Sequence, residues 1–275
     1  MKRRFDRAAA LRCLAHMSHN LTPDASKAMP APARDAARES RGRRARKSPD
    51  GVATSELVYS AHVGTNEDVF PAIMSLHVRS GAVVADVTYG RGIFWKRVDP
   101  DRYRLLPTDV KTGVDCRRLP YGRSTIDCVV LDPPYMEGLY RRATSQLAGG
   151  GTYAAFRSTY SNGQRTLSGP KYHDAVLDLY FGAGREAFRV LKSDGVLIVK
   201  CQDEVSANTQ RLTHVEIIGE YARLGFRAKD LFVLVRPNRP AVSRIVRQEH
   251  ARKNHSYFLV FVKVNARRTA VDGAQ

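Results

Sequence analysis

Cysteine is scarce and unpaired in this sequence. Cys13, Cys116, Cys128 and Cys201 are scattered with no C-x-x-C pair, which argues against both a disulfide framework and a cysteine zinc site. A reducing compartment, the cytoplasm, suits that usage. Long apolar runs are also missing: none approaches the ~20 residues that span a bilayer. The opening MKRRFDRAAALRCLAHM is broken by Arg12 inside what would be a signal core. Asp6, Asp24 and Asp35 are equally out of place in an organellar leader. Acidic residues are in deficit, with 27 Asp+Glu facing 45 Lys+Arg for a formal net charge of +18. Such an excess favours polyanionic partners through counterion release. There is no internal repeat.

What remains is an ordinary globular chain. Its 275 residues, 43% of them hydrophobic, can bury one substantial core. The charge is not confined to a tail. Residues 1–50 hold 13 Lys+Arg and 5 Asp+Glu, so most of the excess lies in the remainder. From Pro23 to Ser55 the chain is rich in Ala, Arg, Pro and Ser, with no apolar period and no aromatic residue. Residues 1–55 are therefore expected to form a disordered basic arm, residues 56–266 the folded domain, and 267–275 a tail.

Within the domain, β-branched runs alternate with amphipathic stretches, the pattern of an α/β fold on a mostly parallel sheet. Strands are expected at Ala82–Val87, Tyr103–Thr108, Ile126–Leu131, Gly195–Lys200, Asp230–Arg236 and Tyr257–Val264. A helix capped by Asp174 should run to about Lys192 with a core-facing stripe, and Thr213-His214-Val215-Glu216 reads as a capping box opening a helix that ends at Gly225.

Ligands in doubly wound sheets bind at the carboxyl ends of the strands. Three such ends stand out. The first carries Asp86 and runs into the turn Gly90-Arg91-Gly92 and a short helix, Ile93–Val98. The second ends at Asp109, where an acidic side chain can accept from ribose hydroxyls. Asp115 falls in the next strand-end loop, as a candidate acceptor for an adenine amine or an ordinary turn residue.

The third end is the sharpest. Asp132-Pro133-Pro134-Tyr135 terminates the apolar Ile126–Leu131. Two prolines cannot continue a central strand, so the chain must leave the sheet there. They also hold the Asp132 carboxylate and nearby carbonyls rigidly beside an aromatic ring. That arrangement answers a chemical problem: an amino group on a heteroaromatic ring is a poor nucleophile, because its lone pair is delocalised into the ring. Accepting its N–H hydrogens, one by Asp132 and one by the Pro133 carbonyl, restores nucleophilicity. No cysteine accompanies the motif, so a covalent protein intermediate is not called for.

At these residues the sequence resembles the amino-methyltransferases of nucleic acids, whose [DNS]-P-P-[YFW] motif follows the fourth strand of a seven-stranded sheet. The resemblance covers roughly Val58–Val264. It implies a Rossmann-like class I methyltransferase fold with helices on both faces and S-adenosyl-L-methionine as cofactor. Asp86, Gly90 and Gly92 would then face the methionine moiety, Asp109 the ribose and Asp115 the cofactor adenine. Thr65-Asn66-Glu67, before a helix starting near Pro71, resembles the segment that touches the cofactor's carboxylate end. With that segment first, then the glycine turn, then DPPY, the order matches the γ arrangement of DNA amino-methyltransferases. The DPPY variant usually accompanies adenine N6. One departure is Val87-Thr88-Tyr89, where the family commonly has P-F-x. Another is the short insertion, about 38 residues, between Tyr135 and Asp174.

Two segments read as nucleic-acid contacts. Residues 136–173 interleave Tyr140, Arg141, Arg142, Arg157, Arg165 and Lys171 with further aromatics, a mixture that stacks on bases and meets phosphates. The connection 236–256 adds Arg244, Arg247, Arg252 and Lys253. His250 and His255 lack clustered Cys or carboxylate neighbours and are not expected to bind a metal. The expected partner is DNA, with RNA as the alternative, and the protein is expected to act as a monomer or homodimer. A guanine-N2 or adenine-N6 RNA methyltransferase and a catalytically silent nucleic-acid-binding protein are the competing readings.

Overall fold

A computed structural model of the chain describes residues 51–53, 55–137, 172–237 and 248–264. The strands are β1 (Ala61–Val63), β2 (Val83–Asp86), β3 (Arg104–Pro107), β4 (Ile126–Leu131), β5 (Leu191–Cys201), β6 (Glu204–Ser206), β7 (Thr209–Arg211), β8 (Phe226–Val235) and β9 (His255–Lys263). Seven of them form one sheet in the order β1-β8-β9-β5-β4-β2-β3, and β6 and β7 pair as a separate hairpin. In the large sheet β9 alone is antiparallel to its neighbours, β5 and β8, and the other pairings are parallel. This is the class I methyltransferase architecture expected above.

Helices cover both faces. Helix α1 (Asn66–His77) lies on one. There Val69, Phe70, Ile73 and Met74 pack with Val84, Cys128, Val130, Ile198 and Phe258. Helices α2 (His173–Val190) and α3 (Thr213–Leu224) lie on the other, where Val176, Leu179, Tyr180 and Ala187 meet Ala85, Val129, Leu131 and Val199. Along β4, Cys128 and Val130 face α1 while Val129 and Leu131 face α2. A strand buried on both sides must be apolar throughout, which is why this run shows no alternation. Where α2 meets α3, a Cβ on Gly184 would come 2.4 Å from the Tyr221 ring, so only glycine lets the helices approach this closely.

Several expectations need correction. β1 and the β6–β7 hairpin were not foreseen, and no strand forms between Thr108 and Thr125. β5 begins at Leu191, upstream of the expected Gly195, and β8 at Phe226. The helix expected at Ile93–Val98 is a single 3-10 turn, Ile93–Trp95. α1 starts at Asn66, well before Pro71, because the Asp68 carboxylate accepts from the Thr65 N–H at 2.8 Å and the Thr65 hydroxyl at 2.6 Å. Tyr172, not Asp174, precedes α2. The capping box at Thr213 does not form: Thr213 is already helical and Leu212 precedes it. Its partner Glu216 is instead drawn to the Nε2 of His173 at 2.5 Å, a tertiary contact that overrides the local signal.

The arm through residue 50, the residues Tyr140, Arg141, Arg142, Arg157, Arg165 and Lys171, and Arg244 and Arg247 lie outside the described residues. Arg252 is exposed and Lys253 half-buried. Among the described residues no helix is long and apolar enough to cross a membrane.

Candidate active site

The parallel strands bring their carboxyl ends to one edge, and most of the singled-out residues lie there. β2 ends at Asp86, whose buried side chain accepts from the Thr88 N–H at 3.1 Å and the Trp95 indole at 2.7 Å. Burial pushes its pKa up to about 7, against the pull of those two donors, and the Asp132 and Asp109 charges add to the rise.

After it the chain turns through Gly90 (φ +55°) and Gly92 (φ +66°), a left-handed path that costs L-residues about 1–2 kcal/mol each. A Cβ on Gly92 would lie 2.5 Å from the Tyr89 hydroxyl, so a larger residue there would have to displace the Tyr89 side chain as well as adopt the left-handed path. Asp109, just beyond β3, braces the turn from the side: its carboxylate accepts from the Gly90 N–H at 3.0 Å and the Lys111 N–H at 2.9 Å. Thr65 bonds Asp68 at the start of α1, Asn66 accepts from Lys200, and Glu67 and Asp68 reach the residues that follow the turn. Glu67 pairs with Lys96 at 3.2 Å, and Asp68 with Arg97 at 2.5 Å.

β4 delivers Asp132. Its backbone N–H donates to the Thr88 hydroxyl at 2.6 Å, which ties the end of β4 to the segment between Asp86 and the glycine turn. The Tyr135 hydroxyl donates to Asp132 Oδ1, also at 2.6 Å. Burial raises the Asp132 pKa, and Lys200, Tyr135 and Arg236 only partly oppose it. A carboxylate has about four lone-pair positions, so one bond from Tyr135 leaves capacity for another donor.

Asp115 stands apart from this arrangement. Arg117 holds it with Nη2 at 2.7 Å and its backbone N–H at 2.8 Å, and it follows the 3-10 turn Val110–Thr112 rather than a strand of its own.

Three residues here escaped the sequence reading: Thr88, Trp95 and above all Lys200, a 1%-exposed lysine near the end of β5. A lone lysine inside GVLIVKC was the available signal. Arg236, read as part of the basic connection, also faces the site through its charge. It anchors one end of that connection by donating its N–H to the Asn254 carbonyl at 2.8 Å.

The chain matches the model of the DNA methylase family over residues 126–273, more than half of its length. It belongs to that family, and with it to the S-adenosyl-L-methionine-dependent methyltransferases. Similar solved structures include a Thermus thermophilus protein assigned as a DNA modification methylase, in complex with S-adenosyl-L-methionine. It is 16% identical with a TM-score of 0.33, over 67% of this chain and 56% of that one. TrmN from Thermus thermophilus is 16% identical with a TM-score of 0.38, over 71% and 48%. A Burkholderia thailandensis 1,6-didemethyltoxoflavin-N1-methyltransferase is 14% identical with a TM-score of 0.37, over 73% and 79%. The chain thus spans about half the length of the modification methylase. Likenesses this distant do not single out a substrate. No curated protein matches the chain.

Proposed function

We infer that this protein transfers a methyl group from S-adenosyl-L-methionine to an exocyclic base amine in nucleic acid, namely adenine N6 in DNA. The observation that carries the reading is the tie between Asp132 and Thr88, which sets the DPPY carboxylate beside the Asp86 and glycine-turn segment.

The residues present fit the cofactor. The turn follows a left-handed path at Gly90 and Gly92, and buried Asp86 and bracing Asp109 are acceptors suited to a cationic ligand with ribose hydroxyls. Thr65, Asn66 and Glu67 would meet its carboxylate end, and Asp115, on exchange of Arg117, its adenine. When bound, S-adenosyl-L-methionine supplies an electrophilic methyl group on a sulfonium. The segment order, with Thr65–Glu67 first, the glycine turn next and DPPY last, corresponds to the γ arrangement.

Asp132 and the Pro133 carbonyl accept the two amine hydrogens, and Pro134 fixes the turn that presents them. For Asp132 to accept, the amine N–H takes a free lone pair of the carboxylate or displaces the Tyr135 hydroxyl. That exchange leaves the Tyr135 ring available to stack on the base. The nitrogen lone pair then forms the N–C bond while the C–S electrons return to sulfur. The surplus amine proton passes to Asp132 and on to water. Catalysis is therefore positioning and electrostatics. DNA would be held by the two basic segments, through Tyr140, Arg141, Arg142, Arg157, Arg165 and Lys171 of one and Arg244, Arg247, Arg252 and Lys253 of the other.

Modification-aware sequencing of host DNA, with and without the expressed chain, tests this reading. N6-methyladenine should appear in a defined context with the chain. Unmodified DNA alongside methylated structured RNA would move the substrate to RNA, and methyl on cytosine N4 would change the base.

A further inference from the structure

Lys200 is a poor choice for its place if packing were all it did. It is 1% exposed at the carboxyl end of β5, the middle strand of the sheet. Burial there lowers its pKa to about 8, and a methionine of similar volume would spare the desolvation cost. Its surroundings are specific. The ammonium donates a hydrogen bond to Asn66 Oδ1 at the first turn of α1. It lies 5.7 Å from the Tyr135 ring centroid, 5.7 Å from that of Phe94 and 5.2 Å from that of Phe258.

An ammonium can only donate. The amide oxygen of Asn66 must therefore face Lys200, and the Asn66 NH2 group is turned to the other side with donors alone to offer. On the opposite flank Tyr135 is bonded to Asp132, and the Lys200 and Asp132 charges act on each other. The other titratable groups facing this cluster are Asp86 at the end of β2, which feels the Asp132 charge, Arg236 beyond β8, Cys201 on β5 and Tyr180 on α2, whose hydroxyl donates to the Lys200 carbonyl at 2.8 Å. Of these Arg236 is a second cation, and it is exposed, so Lys200 is the buried counter-charge for Asp132 among the described residues.

We propose that Lys200 is the positioning residue of the site: one buried cation keeps the Asp132 carboxylate ionised and orients the Asn66 amide, coupling the amine-binding and cofactor-binding halves. The proposal rests on the function inferred above. Asn66, presented as a pure donor, suits the anionic carboxylate of an amino-acid cofactor. Asp132, kept as a pure acceptor, suits an amine.

The test compares the wild type with Lys200→Met and Lys200→Arg. Methyl transfer is followed from about pH 5 to 9, and the Asp132 carboxyl is titrated by carbon-13 NMR, with thermal melts recording the fold. Without the cation the acid form of Asp132 gains. In Lys200→Met its midpoint and the acid limb of kcat/KM should both move to higher pH, by about one unit or more. The rate should fall about tenfold or more at neutral pH, recover as pH rises, and stay near wild type in Lys200→Arg. The melting temperature of Lys200→Met should hold or rise. A uniform rate loss at every pH with an unmoved Asp132 midpoint would overturn the proposal. If the wild type transfers no methyl group at all, the inferred function fails, and the Asp132 midpoint still decides whether Lys200 sets its charge.

Discussion

Strand β4 carries a carboxylate near its start and another just past its end, and the two live in opposite surroundings. Asp127 is saturated: it accepts from the Val83 N–H at 2.9 Å, and Lys192 and Arg79 lie at 2.9 and 3.1 Å. Burial alone would raise its pKa, but those partners outweigh burial and the net shift is downward. At Asp132 burial wins and the shift is upward, despite Lys200, Tyr135 and Arg236. Asp86, at the end of β2, follows Asp132. At the amino end Asp127 is fully partnered and holds the fold, whereas at the carboxyl end Asp86 and Asp132 are buried with too little opposing charge. That imbalance is stable only if the edge is built to receive positive charge or donor hydrogens.

The contrast is broken most severely at Asp86. Its folded pKa of about 7 exceeds the ordinary 3.8, so the folded state favours the protonated form. The native state therefore loses stability as pH rises from about 4 to 7, and the full cost is present above that window. Asp86→Asn should abolish measurable S-adenosyl-L-methionine binding by calorimetry. The same change should stabilise the protein at pH 8 by on the order of 1–4 kcal/mol. In the wild type, affinity for this cationic cofactor should rise between pH 6 and 8, because binding favours ionised Asp86. Affinity that is flat over that range would show that Asp86 does not face the cofactor's positive charge.

Asp127→Ala should do the reverse. Leaving the Val83 N–H without its acceptor costs about 1–3 kcal/mol, read as a lower denaturation midpoint, while cofactor affinity stays at the wild-type value. Gly184→Ala sharpens the same division from the far face, since its Cβ would strike Tyr221. It should destabilise by about 1–2 kcal/mol with no change in cofactor affinity per folded molecule.

The sequence was readable where a single force dominates. Ile126–Leu131 is apolar because both faces are covered, and two prolines end it, so its observed limits match the expected ones. The carboxyl-edge residues Asp86, Gly90, Asp109 and Asp132 could be found because strand ends and turn glycines mark themselves. β1, β6 and β7, at three residues each, are too short to show a period. The Thr213 box failed because a contact across the fold claimed Glu216. Lys200 was passed over as part of a buried run, since sequence alone does not reveal that its neighbours in space are Asn66, Tyr135 and Asp132.

Transfer of tritiated methyl from S-adenosyl-L-methionine to duplex DNA, compared between wild type, Asp127→Ala and Asp132→Ala, probes the central claim most directly. The account predicts label recovered as N6-methyladenine with the wild type, an unchanged rate per folded molecule for Asp127→Ala, and a loss on the order of 10²–10³-fold for Asp132→Ala with its melting transition intact. Undiminished transfer by a folded Asp132→Ala protein would contradict it.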